Sequence, residues 1–294
     1  MRVGRRLLPP SARHKLKSSL TRLPPPPSWA HGRVVVLCYH SVHPTKHFSS
    51  ATPELFAQQI TWLKNNCRLI RFSEALHQTR VSQKDDVPFV AVTFDDGYAD
   101  NYDFAVPVLT THEVPATFFL TVGLIEREPR VVERFRQQRA GTYEDVEPLT
   151  WDQVLRMREA GMEFGTHTWS HPNLAGLDDE SAAVELARPK EVLEQRLGET
   201  VTTFAYPYGK PRRHFTSETM RMAADVGYEH GASVTFRALR KGDDALAIPR
   251  FYSTRDSLSQ LESKIRGSTD LLGVWQERAP MWLARLVSPE DFAY

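Results

Sequence analysis

From residue 33 onward the chain alternates short apolar runs with amphipathic stretches. The runs are VVVLCY (34–39), FVAVTF (89–94), ATFFLT (116–121), MEFGT (162–166), TFAYPY (203–208), EHGASV (229–234) and LAIPRF (246–251). The strongest of them are apolar at successive positions rather than alternate ones, which is the pattern of strands buried on both faces. The stretches between carry helix start and stop signals. TPELFAQQITWL opens with Thr52 as N-cap and Pro53 at the first helical position. TWDQVLRMREAG starts at Thr150 and stops at Gly161, while TSETMRMAADVG starts at Thr216 or Ser217 and stops at Gly227. DDESAAVELARPKEVLEQRLG is long and charged, and Pro189 within it predicts a kink or break. Apolar strands separated by helices predict a parallel sheet of βα units. About seven units in ~220 residues suit a closed or nearly closed (β/α) barrel better than an open sheet.

The same pattern divides the chain. Residues 1–32 read as a basic, Pro-rich tail, 33–255 as a single α/β barrel domain, and 256–294 as helices packed on it. The charged stretch 126–148 interrupts the alternation and predicts an elaborated loop over one end of the barrel. With 41% hydrophobic and 25% charged residues, a substantial core can be buried. A formal net charge of +1 gives no global field toward nucleic acid, and no nucleic-acid-binding motif is present. Cys38 and Cys67 are the two cysteines, expected as reduced thiols. No run reaches the ~18 apolar residues of a membrane span. The N-terminus has no apolar core or cleavage site of a secretion signal, so the default expectation is a cytoplasmic protein.

Chemistry gathers where the apolar runs end. His40 follows VVVLCY, Asp95 and Asp96 follow AVTF, His167 follows EFGT with His171 four residues on, and Tyr208 and Gly209 close TFAYPYG. In parallel barrels the carboxyl ends of the strands converge on the active site. Adjacent Asp95 and Asp96 repel each other unless a positive group lies beside them. The pair His167 and His171, together with one carboxylate, is a common set for a divalent metal. One aspartate can then bind the ion while its neighbour stays available as a base. Without cysteine ligands the set suits zinc, and also admits cobalt, nickel or manganese. His43 and His47 are expected as exposed loop histidines.

TFDDGY (93–98), HTWSHP (167–172) and YPYG (206–209), in that order, resemble the motifs of the polysaccharide deacetylases of the NodB-homology type, carbohydrate esterase family 4. The resemblance covers residues 33 to about 255 and implies a distorted (β/α) barrel. It implies Asp95 as general base, Asp96, His167 and His171 as metal ligands, and the Tyr208 backbone N–H as a donor to the reacting carbonyl oxygen. The family's usual Leu-x-His near the C-terminus, source of its general acid, is missing here. A subgroup with the acid histidine on the first strand is similar to LCYHSV, which implies His40 as the acid. Where the family often has an arginine that orients the base, this chain has Ala205. Arg250 could supply that guanidinium, with a surface or ion-pair role almost as open. The family's Asp-rich fourth motif is not recognisable. Tyr98, Trp169 and Tyr208, with Pro207 of the same turn, are the predicted substrate-binding residues, because sugar rings stack on aromatic planes; Trp169 is expected at the rim.

The resemblance implies metal-dependent hydrolysis of N-acetyl groups on N-acetylglucosamine-containing polysaccharide or oligosaccharide. Two alternatives are a metal-dependent amidase acting on a small non-sugar amide and a carbohydrate-binding protein without catalysis.

Overall fold

The computed structural model describes residues 32–45, 50–79, 87–138, 147–270 and 273. The tail 1–31, His47, residues 139–146 of the insertion and the segment from 274 onward lie outside the described residues. The strands are β1 (Val34–Tyr39), β2 (Ser41–Val42), β3 (Ser50–Ala51), β4 (Arg68–Ile70), β5 (Phe89–Phe94), β6 (Ala116–Leu120), β7 (Glu163–Thr166), β8 (Thr203–Ala205), β9 (His230–Ala232) and β10 (Phe251–Tyr252). The main sheet runs β10-β1-β5-β6-β7-β8-β9, every pair parallel. This is the expected curled, seven-stranded βα arrangement.

The sheet curls until one segment spans both of its edges. Ile248 bridges Ala232, donating its N–H to Gly231 O at 2.8 Å and accepting from Ser233 N–H at 2.8 Å. Three residues on, Phe251 pairs with Leu37 of β1. Arg250 lies between those two contacts. β4 was not anticipated: its three residues Arg68–Ile70 are partly exposed and carry little apolar signal. They pair with Phe89, Val90 and Ala91 of β5, whose later residues 92–94 pair with β6.

Central strands are buried throughout, since helices cover one face and barrel-interior side chains the other. The helix starts follow the sequence. Thr52, Thr150 and Thr216 each accept a backbone N–H from the first turn. Pro189 does not break its helix, which runs unbroken over Asp179–Leu197. Asp178 caps one end, Gly198 ends it in the left-handed region at φ 69, and Ala182, Leu186, Leu193 and Leu197 are buried. That burial and capping outweigh one missing hydrogen bond. No helix among the described residues is long and apolar enough to cross a membrane. Both cysteines are free thiols, Cys38 buried and Cys67 half-buried.

Candidate metal centre

The ends of β1, β5, β7 and β8 and the closing segment 248–252 bring the three motifs into one buried cluster. Asp95, just past β5, donates its N–H to Tyr39 O at 3.0 Å and is 3% exposed. Arg250 is fully buried and grips its carboxylate with two parallel bonds, Nη1 to Oδ1 at 2.7 Å and Nη2 to Oδ2 at 2.8 Å. The guanidinium is itself held, Nη1 donating to Thr93 Oγ1 at 3.0 Å and Nε to Ser233 O at 3.2 Å. A surface role for Arg250 is therefore excluded: the guanidinium is buried and its ion pair is with Asp95. Burial alone would raise the Asp95 carboxyl, but the Arg250 charge opposes it, so the group sits below the ordinary carboxylate range.

Asp96 points into different surroundings. Its Oδ1 lies 3.7 Å from His167 Nε2 and 3.5 Å from His171 Nε2. His167 Nδ1 is 2.8 Å from Ala205 O. A carbonyl only accepts, so Nδ1 carries the proton and a neutral ring turns its Nε2 lone pair toward Asp96. The donor atoms of Asp96, His167 and His171 lie within 4.8 Å of one another, and all three residues are buried. The nitrogen–oxygen separations exceed hydrogen-bond length, and a cation between one carboxylate and two imidazoles satisfies all three. The residues thus fit a divalent ion. Zinc, cobalt, nickel and manganese all accept these ligand types.

The backbone here is unusual. Four of the non-glycine residues with positive φ fall in the three motifs: Asp96 (77°), Thr168 (64°), His171 (57°) and Tyr208 (61°). Such conformations cost on the order of 1–3 kcal/mol each and persist where surrounding contacts enforce them. The His171 N–H to Thr168 Oγ1 bond at 3.0 Å is one such contact. Gly209 is required as glycine, because a Cβ there would lie 2.9 Å from Val234 N.

On the other side of Asp95 lie Cys38 and His40, whose ligand-type atoms fall within 4.8 Å of an Asp95 oxygen and of each other. Burial pushes the Cys38 thiol up, so it stays protonated and donates to Asp95 Oδ2 at 3.5 Å. His40 is half-buried and stacks on Tyr252, ring centroids 5.4 Å apart. The chain just after it is anchored by Asp100, which accepts from Ser41 Oγ at 2.5 Å. Burial pushes the Asp100 carboxyl up to about 7, against the lowering effect of its bonds from Ser41 and Val42. Sequence reasoning passed over Asp100; the adjacent acidic and amide pair in GYADN was the available signal.

The aromatic expectations divide. Tyr208 is 40% exposed, its ring 4.8 Å from that of His171. Trp169 is buried rather than at the rim. Gly123 backs it closely, Glu128 accepts its Nε1–H at 2.7 Å, and the Arg188 guanidinium covers its ring at 3.5 Å. Tyr98 is 2% exposed and packs on Phe135. Neither ring has a face open for a sugar, and Pro207 is buried as well. The helix Pro129–Gln138 of the insertion lies over this end of the barrel through Phe135, 5.8 Å from the His171 ring.

Comparison with known proteins bears on the family and the fold. The family model described as polysaccharide deacetylase matches residues 82–231. A poly-beta-1,6-N-acetyl-D-glucosamine N-deacetylase of Staphylococcus aureus is 22% identical over 222 residues, covering 72% of this chain and 70% of its own length. The structure of IcaB from Ammonifex degensii superposes with a TM-score of 0.63 at 27% identity, covering 80% of this chain and 97% of that one. The Streptococcus pyogenes deacetylase PplD shares the fold, with a TM-score of 0.66 at 23% identity over 79% of this chain and 98% of its own. The fold, the three motifs in order and a family match over half the chain lead to one conclusion: the chain belongs to the polysaccharide deacetylase family, hydrolases that act on non-peptide amide bonds.

Proposed function

We propose that this protein removes acetyl groups from N-acetylglucosamine residues of a polysaccharide or oligosaccharide by hydrolysis, with Asp95 as base and His40 as acid. The observation that carries the proposal is the division of labour between two neighbouring carboxylates, one held by Arg250 and one facing two imidazoles. Asp96, His167 and His171 would hold the divalent ion, which when bound supplies a Lewis acid that polarises a carbonyl and acidifies water.

The chain's own groups do the rest. Asp95 is ionised and oriented by Arg250, so it can accept a proton from the water that adds to the amide carbonyl carbon. The Tyr208 N–H, on a left-handed backbone turn, donates to the carbonyl oxygen as negative charge develops there. His40, across Asp95 from the ligand set, gives a proton to the leaving nitrogen as the carbon–nitrogen bond breaks, releasing acetate and the free amine. The exposed Tyr208 ring offers an apolar face at the rim for a sugar. The N-acetylglucosamine polymer as substrate class draws support from the Staphylococcus aureus relative. A full set of base, acid and ligand residues in one cluster disfavours a binding protein without catalysis.

The test is acetate release from N-acetylglucosamine oligomers by purified protein, with and without added zinc, beside Asp95→Asn. Zinc-dependent release that the substitution abolishes is expected. No release from folded, metal-loaded protein would overturn the sugar reading.

A further inference from the structure

The loop that carries both imidazoles is gripped from behind by one helix. Glu185, in the helix Asp179–Leu197, accepts three hydrogen bonds from it through its carboxylate. They come from Trp169 N–H at 3.0 Å, Ser170 N–H at 2.8 Å and Ser170 Oγ at 2.6 Å. The Trp169 N–H is bifurcated and also reaches the Glu185 backbone carbonyl, at 3.2 Å. In an uninterrupted α-helix that carbonyl would be taken by the N–H four residues on, and the residue four on is Pro189, which has none. The proline that sequence analysis marked as a helix breaker thus leaves the helix intact and releases one carbonyl, which the loop uses.

The gripped residues, Trp169 and Ser170, lie between His167 and His171, and the flanking Thr168 and His171 both sit in the left-handed region. A loop with two such residues needs outside contacts to hold its shape. On the loop's other side the Val122 and Gly123 N–H groups donate to Thr168 O at 3.2 Å and Trp169 O at 2.9 Å. Arg134 donates to Ser170 Oγ at 3.0 Å, and Arg188 with Glu128 fixes the Trp169 ring. Of the four contacts to Glu185, three hold the backbone N–H groups of Trp169 and Ser170 and one holds the Ser170 hydroxyl.

We propose that Glu185, with its carbonyl freed by Pro189, is a positioning residue that sets the spacing of the His167 and His171 imidazoles and hence the affinity for the divalent ion. This rests on the ligand set proposed above. Glu185 touches neither ion nor substrate in this role; it acts through the loop.

The experiment measures Zn2+ affinity by competition with a chromophoric chelator, and the d–d absorption of Co2+-loaded protein, for wild type, Glu185→Ala, Glu185→Gln and Pro189→Ala. Glu185→Ala is expected to weaken zinc about 10- to 100-fold and to alter the cobalt spectrum. Glu185→Gln, which keeps one acceptor oxygen, should recover part of that loss. Pro189→Ala is the decisive variant. Alanine restores the helical N–H that competes for the Glu185 carbonyl, so zinc should weaken about two- to tenfold while thermal stability holds or rises. A purely structural role predicts that affinity follows stability instead. Unchanged affinity and spectrum in Pro189→Ala and in whichever Glu185 variant folds would overturn the proposal while leaving the ligand assignment standing. Wild-type protein that binds no metal would overturn both.

Discussion

Asp95 and Asp96 are adjacent in sequence, equally buried and chemically identical, yet they occupy opposite environments. Asp95 meets a fully buried guanidinium in a two-bond fork, which holds it ionised and fixed. Asp96, turned the other way by a left-handed backbone at φ 77, faces two imidazole nitrogens at 3.5 and 3.7 Å. The first carboxylate has its counter-charge built into the protein; the second has a site shaped for one from outside. A pair of like charges becomes tolerable when each acquires its own cation. In the proposed roles, what distinguishes base from ligand is therefore the neighbourhood and not the residue.

The largest effect should come from neutralising each of the two in turn. Asp96→Asn is expected to weaken zinc binding by at least about 100-fold and abolish acetate release. Asp95→Asn should keep zinc affinity within a few-fold while lowering turnover about 10²- to 10⁴-fold. Calorimetric zinc titration beside acetate assays separates these, and equal loss of metal in both variants would erase the distinction.

Breaking the other partner comes next. Arg250→Met leaves Asp95 buried without its counter-charge, and should destabilise the fold by about 3–5 kcal/mol in urea titrations. The double variant Asp95→Asn with Arg250→Met should be less destabilised than the two single effects summed, because neither charge is then stranded. Additive losses would mean that the pair is not coupled.

Asp100 extends the comparison to a carboxylate with hydroxyl and amide donors but no cation among its described partners, and burial lifts it to about 7. Its folded value lies above the unfolded one, so between roughly pH 4 and 7 the folded state holds the extra proton. That stability is complete below pH 4, is lost as pH rises through about 7, and stays level above. Asp100→Asn should therefore gain on wild type by on the order of 4 kcal/mol between pH 4 and 8. Denaturation curves at both ends of that window test it, and parallel pH profiles would contradict it.

The smallest effect belongs to Cys38. Its thiol bond to Asp95 is long, at 3.5 Å, and Arg250 already satisfies both oxygens. Cys38→Ala should cost about 1 kcal/mol and leave turnover nearly unchanged. A large fall in turnover would show that the fork alone does not hold the base.

Much of the site was legible along the chain because its residues follow strand ends, where apolar runs stop and polar residues stand out. His40, Asp95, Asp96, His167 and His171 all read in this way, and the fold does gather them. The helix caps at Thr52, Thr150 and Thr216 were equally local. Less could be read where the chemistry depends on what comes close from elsewhere. Arg250 reaches Asp95 across a sequence separation of 155 because the closing segment lies against both sheet edges. Trp169 looked like a rim residue from its place between two histidines, but Gly123, Glu128 and Arg188 enclose it.

By itself, the sequence determined the βα alternation, the strands buried on both faces, most helix boundaries and the identity of the groups at the strand ends, since these depend on periodicity and near neighbours. Tertiary structure decided which carboxylate is neutralised by arginine and which faces two imidazoles. It also decided which aromatics keep an open face, and that a helical proline frees a carbonyl for a loop instead of breaking its helix. Each of these depends on distances between segments far apart in the chain, and a linear pattern carries no record of them.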